Sequence, residues 1–163
     1  MSAVKEGTKA AAIWALEAQL RKRPSAYPEK YQPVVKGREK RQLGEHFGLK
    51  NFGVNLTRLL PGASSALRHA HSRQDEFIFV VEGHPVLITD DGEEWLSPGM
   101  CIGFPHGTGN AHHLVNRTQM DVVILEVGDR TPGDEAVYPD DDIRAVQLDG
   151  DRYRFTRKDG TPY

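Results

Sequence analysis

The sequence predicts an all-β domain, a sandwich or barrel, preceded by one helix near the amino terminus. From residue 52 onward, short runs rich in β-branched and aromatic residues recur about every ten residues. Turn dipeptides such as Pro61-Gly62, Asp91-Gly92 and Pro98-Gly99 separate these runs. No stretch approaches the roughly 18 apolar residues of a membrane-spanning helix, so the hydrophobic runs are expected to build a core.

Eight runs are predicted to be strands of one barrel core over residues 52–128: FGVNLTRLL, SALRHAH, EFIFVVEG, PVLITD, EEWLS, MCIGF, AHHLVN and DVVILEVG. Residues 129–163 are expected to form an extension packed on the barrel, with RYRFTR as an additional edge strand. Residues 1–51 form the other extension, and the whole chain is expected to be one domain.

The predicted helix spans residues 8–22. Thr8 is a suitable cap, Ile13, Leu16 and Leu20 follow at i, i+3 and i+7, and Pro24 ends the pattern. We expect this helix to brace the barrel. Residues 24–48, rich in glycine and proline, are expected to be loop with one short strand at most.

The composition excludes several classes of protein. With 163 residues, 38% hydrophobic and 27% charged, the chain has the size and balance of one globular domain. A net charge of −2 argues against a nucleic acid or an anionic membrane as partner. Cys101 is the only cysteine, so no internal disulfide forms.

The first residues lack a secretory apolar core, and a cytoplasmic protein is expected. Because open barrels have edges to protect, a homodimer is expected as well.

Three residues in the second and third predicted strands have the spacing of metal ligands. His69 and His71 are two apart, so both side chains project from one face of a strand. Glu76 follows after four residues and shares a face with Ile78 and Val80, which marks that face as interior. Because an unpaired buried carboxylate is costly, a metal shared with the two imidazoles is a reasonable partner.

A third imidazole is offered by His112 or His113, which point to opposite faces of their strand. His112 shares a face with Leu114 and Asn116, whereas His113 shares one with Val115. This local pattern leaves both residues as candidates.

These motifs resemble the two conserved motifs of the cupin superfamily. The first runs from Gly62 through His69, His71 and Glu76 to Gly83, and the second from Gly92 through Pro105-His106-Gly107 to His112 and Asn116. The resemblance implies a cupin double-stranded β-helix, or jelly-roll barrel, with His69, His71, Glu76 and His112 as metal ligands. His112 follows Gly107 at an offset of five positions, two more than usual, which is interpreted as a two-residue loop extension because the interval to Asn116 is kept.

The resemblance is strongest to a group of small single-domain bacterial cupins, some of which are described as sugar-phosphate isomerases. It implies a metal-dependent enzyme acting on a small carbonyl or sugar-phosphate-like substrate, with isomerisation favoured. Two alternatives stay open: an iron-dependent dioxygenase and a non-catalytic small-molecule-binding cupin. The mixed nitrogen and oxygen ligands suit a divalent ion, zinc, iron, nickel or manganese, and do not choose among them.

No dinucleotide fingerprint, phosphate loop or Ser-His-Asp arrangement is present, so no organic cofactor is expected. The catalytic residues are not identified by the sequence. Glu126, Tyr138 and Asp121 are candidates for a general base. Arg58, Lys50 and Arg68 are candidates for binding a phosphate.

Overall fold

The computed structural model describes residues 11–149 and 152–163, and β-strands dominate it. The strands are β1 (Arg38–Gln42), β2 (Phe52–Leu59), β3 (Ala70–His71), β4 (Glu76–Glu82), β5 (Val86–Thr89), β6 (Gly92–Trp95), β7 (Cys101–Phe104), β8 (His113–Val115), β9 (Val122–Asp129), β10 (Glu135–Val137), β11 (Arg144–Asp149) and β12 (Arg152–Thr156). Short 3-10 helices cover Ala15–Glu17 and Glu29–Val35, and α1 covers Leu43–Phe47. The predicted all-β class is confirmed.

The strands form three sheets that enclose the interior of the barrel. The largest sheet has the order β1-β2-β9-β4-β7, the second β12-β11-β10-β3 and the third β6-β5-β8. Alternation places Ile78 and Val80 inward, with exposures of 6% and 0%, whereas Phe77 and Phe79 face outward on β4. The prediction that Glu76, Ile78 and Val80 form an inward-facing row is therefore confirmed.

Two hydrophobic clusters divide the interior between them. One joins the large sheet to the β5–β6–β8 sheet through residues such as Leu59, Leu114 and Ile124. The other lies beneath the β3–β10–β11–β12 sheet and includes Tyr31, Leu67, Ala136, Tyr138, Ile143 and Ala145. Several polar side chains are buried as well, among them Thr57, His112, Asn116 and Asp134.

Both extensions contribute strands to the sheets. β1 pairs along its whole length with residues 55–59 of β2, with Arg38 opposite Leu59 and Gln42 opposite Asn55. Residues 129–163 supply β10, β11 and β12, and β10 pairs with β3. The predicted edge strand RYRFTR is β12. β1 is the one short strand that was expected at most within residues 24–48.

The α-helix predicted over residues 8–22 is wrong for the residues that the structure describes. Residues 8–10 lie outside the described part, and residues 11–22 contain only the 3-10 turn Ala15–Glu17. The physical reason is competition from a sheet edge. The Arg21 N–H donates to Lys40 O at 2.8 Å, and Leu20 forms an antiparallel bridge with Arg41. Leu16 and Leu20 stay 65% and 43% exposed, so the apolar positions of the predicted helix are not buried and packing does not stabilise a helix here.

No helix in the described part of the chain is both long and apolar enough to span a bilayer.

Candidate metal centre

An antiparallel bridge brings the first and second histidine motifs together. His69 and His112 face each other, with His112 N donating to His69 O at 2.8 Å and His69 N donating to His112 O at 3.1 Å. Directly opposite residues of an antiparallel pair project from the same face, so the two imidazoles share the interior. The ring of His113 points the other way and hydrogen-bonds Ala66 O at 3.0 Å. The structure thus brings His112, and not His113, to the cluster.

The four side chains converge on one carboxylate oxygen. Glu76 Oε2 lies 2.9 Å from His112 Nε2 and 3.6 Å from the Nε2 atoms of both His69 and His71. Potential ligand atoms of His69, His71 and Glu76 all lie within 4.8 Å of one another. Such convergence places each Nε2 where a shared cation could be held.

Two of the imidazoles are oriented through their other ring nitrogen. His69 Nδ1 donates to Leu67 O at 2.8 Å, and His71 Nδ1 donates to Asp134 Oδ2 at 2.5 Å. With Nδ1 as the donor, Nε2 keeps its lone pair for a metal. The site therefore has the supporting hydrogen bonds that metal-binding histidines usually have.

His112 is held differently. Its ring stacks on Phe104, with centroids 3.4 Å apart and planes 2° apart, and its buried Nδ1 has no hydrogen-bond partner among the described residues. Packing against an aromatic ring therefore takes the place of a hydrogen bond in setting this imidazole.

Asp134 is a site residue that the sequence did not single out. It is fully buried, and its carboxylate accepts hydrogen bonds from His71 Nδ1, Arg73 N at 2.9 Å and the Tyr153 hydroxyl at 3.1 Å. Asp134 directly precedes β10. Because β10 pairs with β3, Asp134 reaches His71, which is more than sixty residues earlier in the chain. No local pattern distinguishes Asp134 from the other acidic residues of residues 129–163.

The pKa shifts of Glu76 and His112 suit a cation, whereas for His71 burial is outweighed by Asp134 and Glu76, which raise the pKa of its imidazole. Burial raises the pKa of the Glu76 carboxyl, but the hydrogen bond with His112 and the nearby His69 and His71 imidazoles outweigh burial and hold that pKa well below its usual range. Burial lowers the pKa of the His112 imidazole, against the opposing effect of Glu76. An ionised carboxylate and a neutral imidazole are the forms that bind metals. Three imidazole nitrogens and one carboxylate oxygen fit a divalent ion of the zinc, iron, nickel or manganese type.

The cluster opens into a cavity of about 300 Å³, large enough for a small metabolite. His69, Glu76 and His112 line it together with polar residues from β1, β2 and β9: Arg38, Lys40, Gln42, Asn55 and Glu126. Gly128 is on β9, where it pairs with Glu76 of β4 on one side and with Gly53 of β2 on the other. Neither glycine has a side chain, and a Cβ at Gly53 would lie 3.5 Å from Arg130 Nη2, so the Arg130 guanidinium covers that part of the cavity floor.

The structure separates the three candidates for a general base. Glu126 lines the cavity, where Thr57 Oγ1 donates to its Oε2 at 2.7 Å and Lys40 Nζ lies 2.7 Å from the same oxygen. Asp121 lies outside the cavity and pairs with Arg58. Tyr138 stacks on His69, and burial raises the pKa of its hydroxyl well above the ordinary value, so it stays protonated. Of these three candidates, Glu126 is the one that lines the cavity.

None of the three cations proposed for phosphate binding lines this cavity. Arg58 pairs with Asp121 and Glu39, Arg68 pairs with Asp140 and Asp90, and Lys50 is exposed. The cations that face the cavity on β1 are Arg38 and Lys40, which the sequence placed inside a charged run with no sign of facing inward. Only the pairing of β1 with β2 gives that run an inside face.

Three histidines and one glutamate converging inside a β-barrel define a candidate metal-binding barrel. The family model for the cupin domain matches residues 55–128. A solved structure from Silicibacter pomeroyi, described as a sugar phosphate isomerase from a cupin superfamily, is 45% identical, with a TM-score of 0.86. The match covers 93% of this chain and 96% of that chain. The chain therefore belongs to the cupin superfamily.

More distant structures share the fold. A protein from Acidithiobacillus ferrooxidans, proposed to be a sugar phosphate isomerase, is 25% identical, with a TM-score of 0.68, over 77% of this chain and 80% of that chain. The polyketide cyclase RemF from Streptomyces resistomycificus is 21% identical, with a TM-score of 0.60, over 74% of this chain and 80% of that chain. No protein with a curated description matches the chain. One fold thus carries several chemistries, and the residues of the cavity have to specify this one.

Proposed function

We propose that this cupin is a metal-dependent isomerase that interconverts the aldose and ketose forms of a small sugar-phosphate-like substrate. The observation that carries the proposal is the placement of a second carboxylate, Glu126, in the cavity that opens from the His69–His71–Glu76–His112 cluster. The likeness to the Silicibacter pomeroyi protein supports the same class of reaction.

The proposed metal ligands are His69, His71, Glu76 and His112. A divalent ion bound there would act as a Lewis acid on neighbouring substrate oxygens and stabilise the negative charge that develops on them. The chain contributes the orientation of the imidazoles through Leu67 O, Asp134 and Phe104.

Glu126 is the proposed proton carrier. Ile78 is opposite Glu126 across β4 and β9, so Glu76 and Glu126 are diagonal neighbours, with backbones about 7–8 Å apart. That gap accommodates a short substrate segment between the two carboxylates. Oε2 of Glu126 is held by Thr57 and Lys40, and Oε1 has no hydrogen bond from the described residues. Oε1 is then available to take the proton from the carbon that bears the hydroxyl and return it to the adjacent carbonyl carbon, while the proton of that hydroxyl passes to the former carbonyl oxygen.

The test is solvent exchange. Metal-loaded protein is incubated in heavy water with a panel of aldose and ketose phosphates, and the products are followed by NMR. We expect aldose–ketose interconversion with deuterium on the carbon that receives the proton. Glu126→Gln should lower the exchange rate by about 10²- to 10⁴-fold, because general base catalysis contributes that much. Glu94→Gln, an exposed residue on β6, is the matched control and should keep the full rate.

The result can also contradict the proposal. Full exchange in Glu126→Gln would remove that residue from the mechanism. Absence of exchange across the whole panel would remove the isomerase, with oxygen uptake by the iron-loaded protein then favouring a dioxygenase and neither signal favouring a binding protein.

Metal titration of two adjacent variants tests the fourth ligand. His112→Ala should lose high-affinity binding of Zn²⁺, because it removes the nitrogen 2.9 Å from Glu76 Oε2. His113→Ala should bind Zn²⁺ as the wild type does, since its ring is directed to Ala66 O. Isothermal titration calorimetry of both variants measures the difference. Loss of binding in His113→Ala alone would reverse the assignment.

A further inference from the structure

The inward face of β1 carries two cations where its neighbours carry uncharged residues. Arg38 lies opposite Leu59, and Lys40 lies opposite Thr57. Leu59 and Thr57 are fully buried, so this face points to the interior of the barrel. Cations are rarely placed on an inward face without a compensating partner, because removing them from water is costly.

Lys40 has such a partner and Arg38 does not. Lys40 Nζ lies 2.7 Å from Glu126 Oε2. Arg38 donates from Nη1 to the backbone oxygen of Ser65 at 2.5 Å, and no ion pair within the described ranges includes it. A guanidinium has five N–H donors, so most of those of Arg38 remain for a ligand.

Several other charged groups that line the cavity already have partners. Glu45 pairs with Arg130, and Asp129 accepts hydrogen bonds from Thr131 N and Asp75 N. Arg38, by contrast, is a cation of the cavity that an anionic ligand could neutralise without breaking an ion pair.

The position of these cations suits the far end of a substrate held at the proposed metal centre. β1 is three strands from β4 in the large sheet, roughly 14 Å at about 4.8 Å per strand. Glu126 lies on β9, between them, and is joined to β1 by Lys40. The long side chains of Arg38 and Lys40 shorten the gap, which leaves space for a short carbon chain between a carbonyl end and an anionic end.

We propose that Arg38 and Lys40 form the subsite for the terminal phosphate of the substrate. The assignment of this anion to a sugar phosphate rests on the proposed function. A phosphate monoester carries a charge of about −1.5 to −2 at neutral pH. The planar fork of Arg38 can bind two phosphate oxygens at once, and the Lys40 ammonium, already paired with Glu126, can offer a remaining N–H donor. Because Lys40 also contacts Glu126, binding of the phosphate places the sugar chain next to the proposed proton carrier.

The first experiment measures binding of inorganic phosphate to the metal-loaded protein by calorimetry. Arg38→Gln should weaken phosphate binding by about 10- to 100-fold, since a charge-assisted hydrogen-bond pair is lost. Arg41→Gln is the matched control on the same strand. Arg41 points outward and bonds Leu16 O at 3.0 Å, so this variant should bind phosphate as the wild type does.

The second experiment compares a sugar phosphate with the same sugar lacking its phosphate. The preference of the wild type for the phosphorylated form, measured as kcat/KM, should shrink in Arg38→Gln by the same factor and mainly through KM. If the wild type turns over neither sugar but Arg38→Gln still loses phosphate affinity, the phosphate subsite is supported and the isomerase proposal is contradicted. Unchanged phosphate affinity in a folded Arg38→Gln overturns the subsite. Should that variant not fold, Arg38→Lys, which keeps the charge and loses the fork, decides the question by the same measurement.

Discussion

Replacement of His71 by alanine is expected to abolish stoichiometric binding of a divalent metal. His71 Nε2 lies 3.6 Å from Glu76 Oε2, and its Nδ1 is held by the buried Asp134. Loss of this imidazole removes one of four proposed ligands and also leaves Asp134 without that donor. The loss of affinity should therefore exceed the roughly 10- to 100-fold that follows from removing a supporting residue alone. Elemental analysis of protein purified without added metal, together with Zn²⁺ titration, measures it.

Two further variants complete the metal experiment. Asp134→Asn keeps His71 but weakens its anchor, and it should lower Zn²⁺ affinity by about 10- to 100-fold without abolishing binding. His84→Ala is the control, because His84 lies away from the cluster and hydrogen-bonds Leu96 O and Ser97. A His71→Ala protein that retains the metal content of the wild type would show that the ion is bound elsewhere.

Replacement of Gly83 by alanine is expected to destabilise the fold by more than about 3 kcal/mol. Gly83 follows β4 with φ of +79°, a region that residues with a Cβ avoid. A Cβ there would lie 2.5 Å from Asp121 O and 2.9 Å from Val122 Cγ2. Backbone strain and the clash with the start of β9 add, and β9 is central to the large sheet.

The other glycine of the first motif separates the two effects. Gly62 has φ of +82°, and no atom lies within 4 Å of a Cβ built on it. Gly62→Ala should therefore cost only the backbone strain, about 1–2 kcal/mol. Urea denaturation of both variants gives the comparison. Equal losses would mean that the loop before β9 moves away from the new methyl group at little cost.

The sequence was sufficient to predict features that depend on near neighbours. Turn dipeptides and period-two alternation predicted the barrel strands, and β4, β7 and β9 lie within the predicted runs or within one residue of them. The same period placed His69 and His71 together and identified the inward row of Glu76 and Ile78. Asn116, which ends the second motif, anchors the strand that carries it, because its amide donates to Leu59 O at 2.9 Å and Met120 O at 2.7 Å.

The tertiary structure decided whatever depends on partners far along the chain. The bridge between His69 and His112 distinguishes adjacent histidines that are equivalent in the local pattern. Pairing of β10 with β3 brings Asp134 to His71, and pairing of β1 with β2 turns Arg38 inward. The same sheet edge captured Leu20 and Arg21 in place of the predicted helix. Side-chain alternation and turn preference act over a few residues, whereas strand pairing joins residues by contacts that no local pattern encodes.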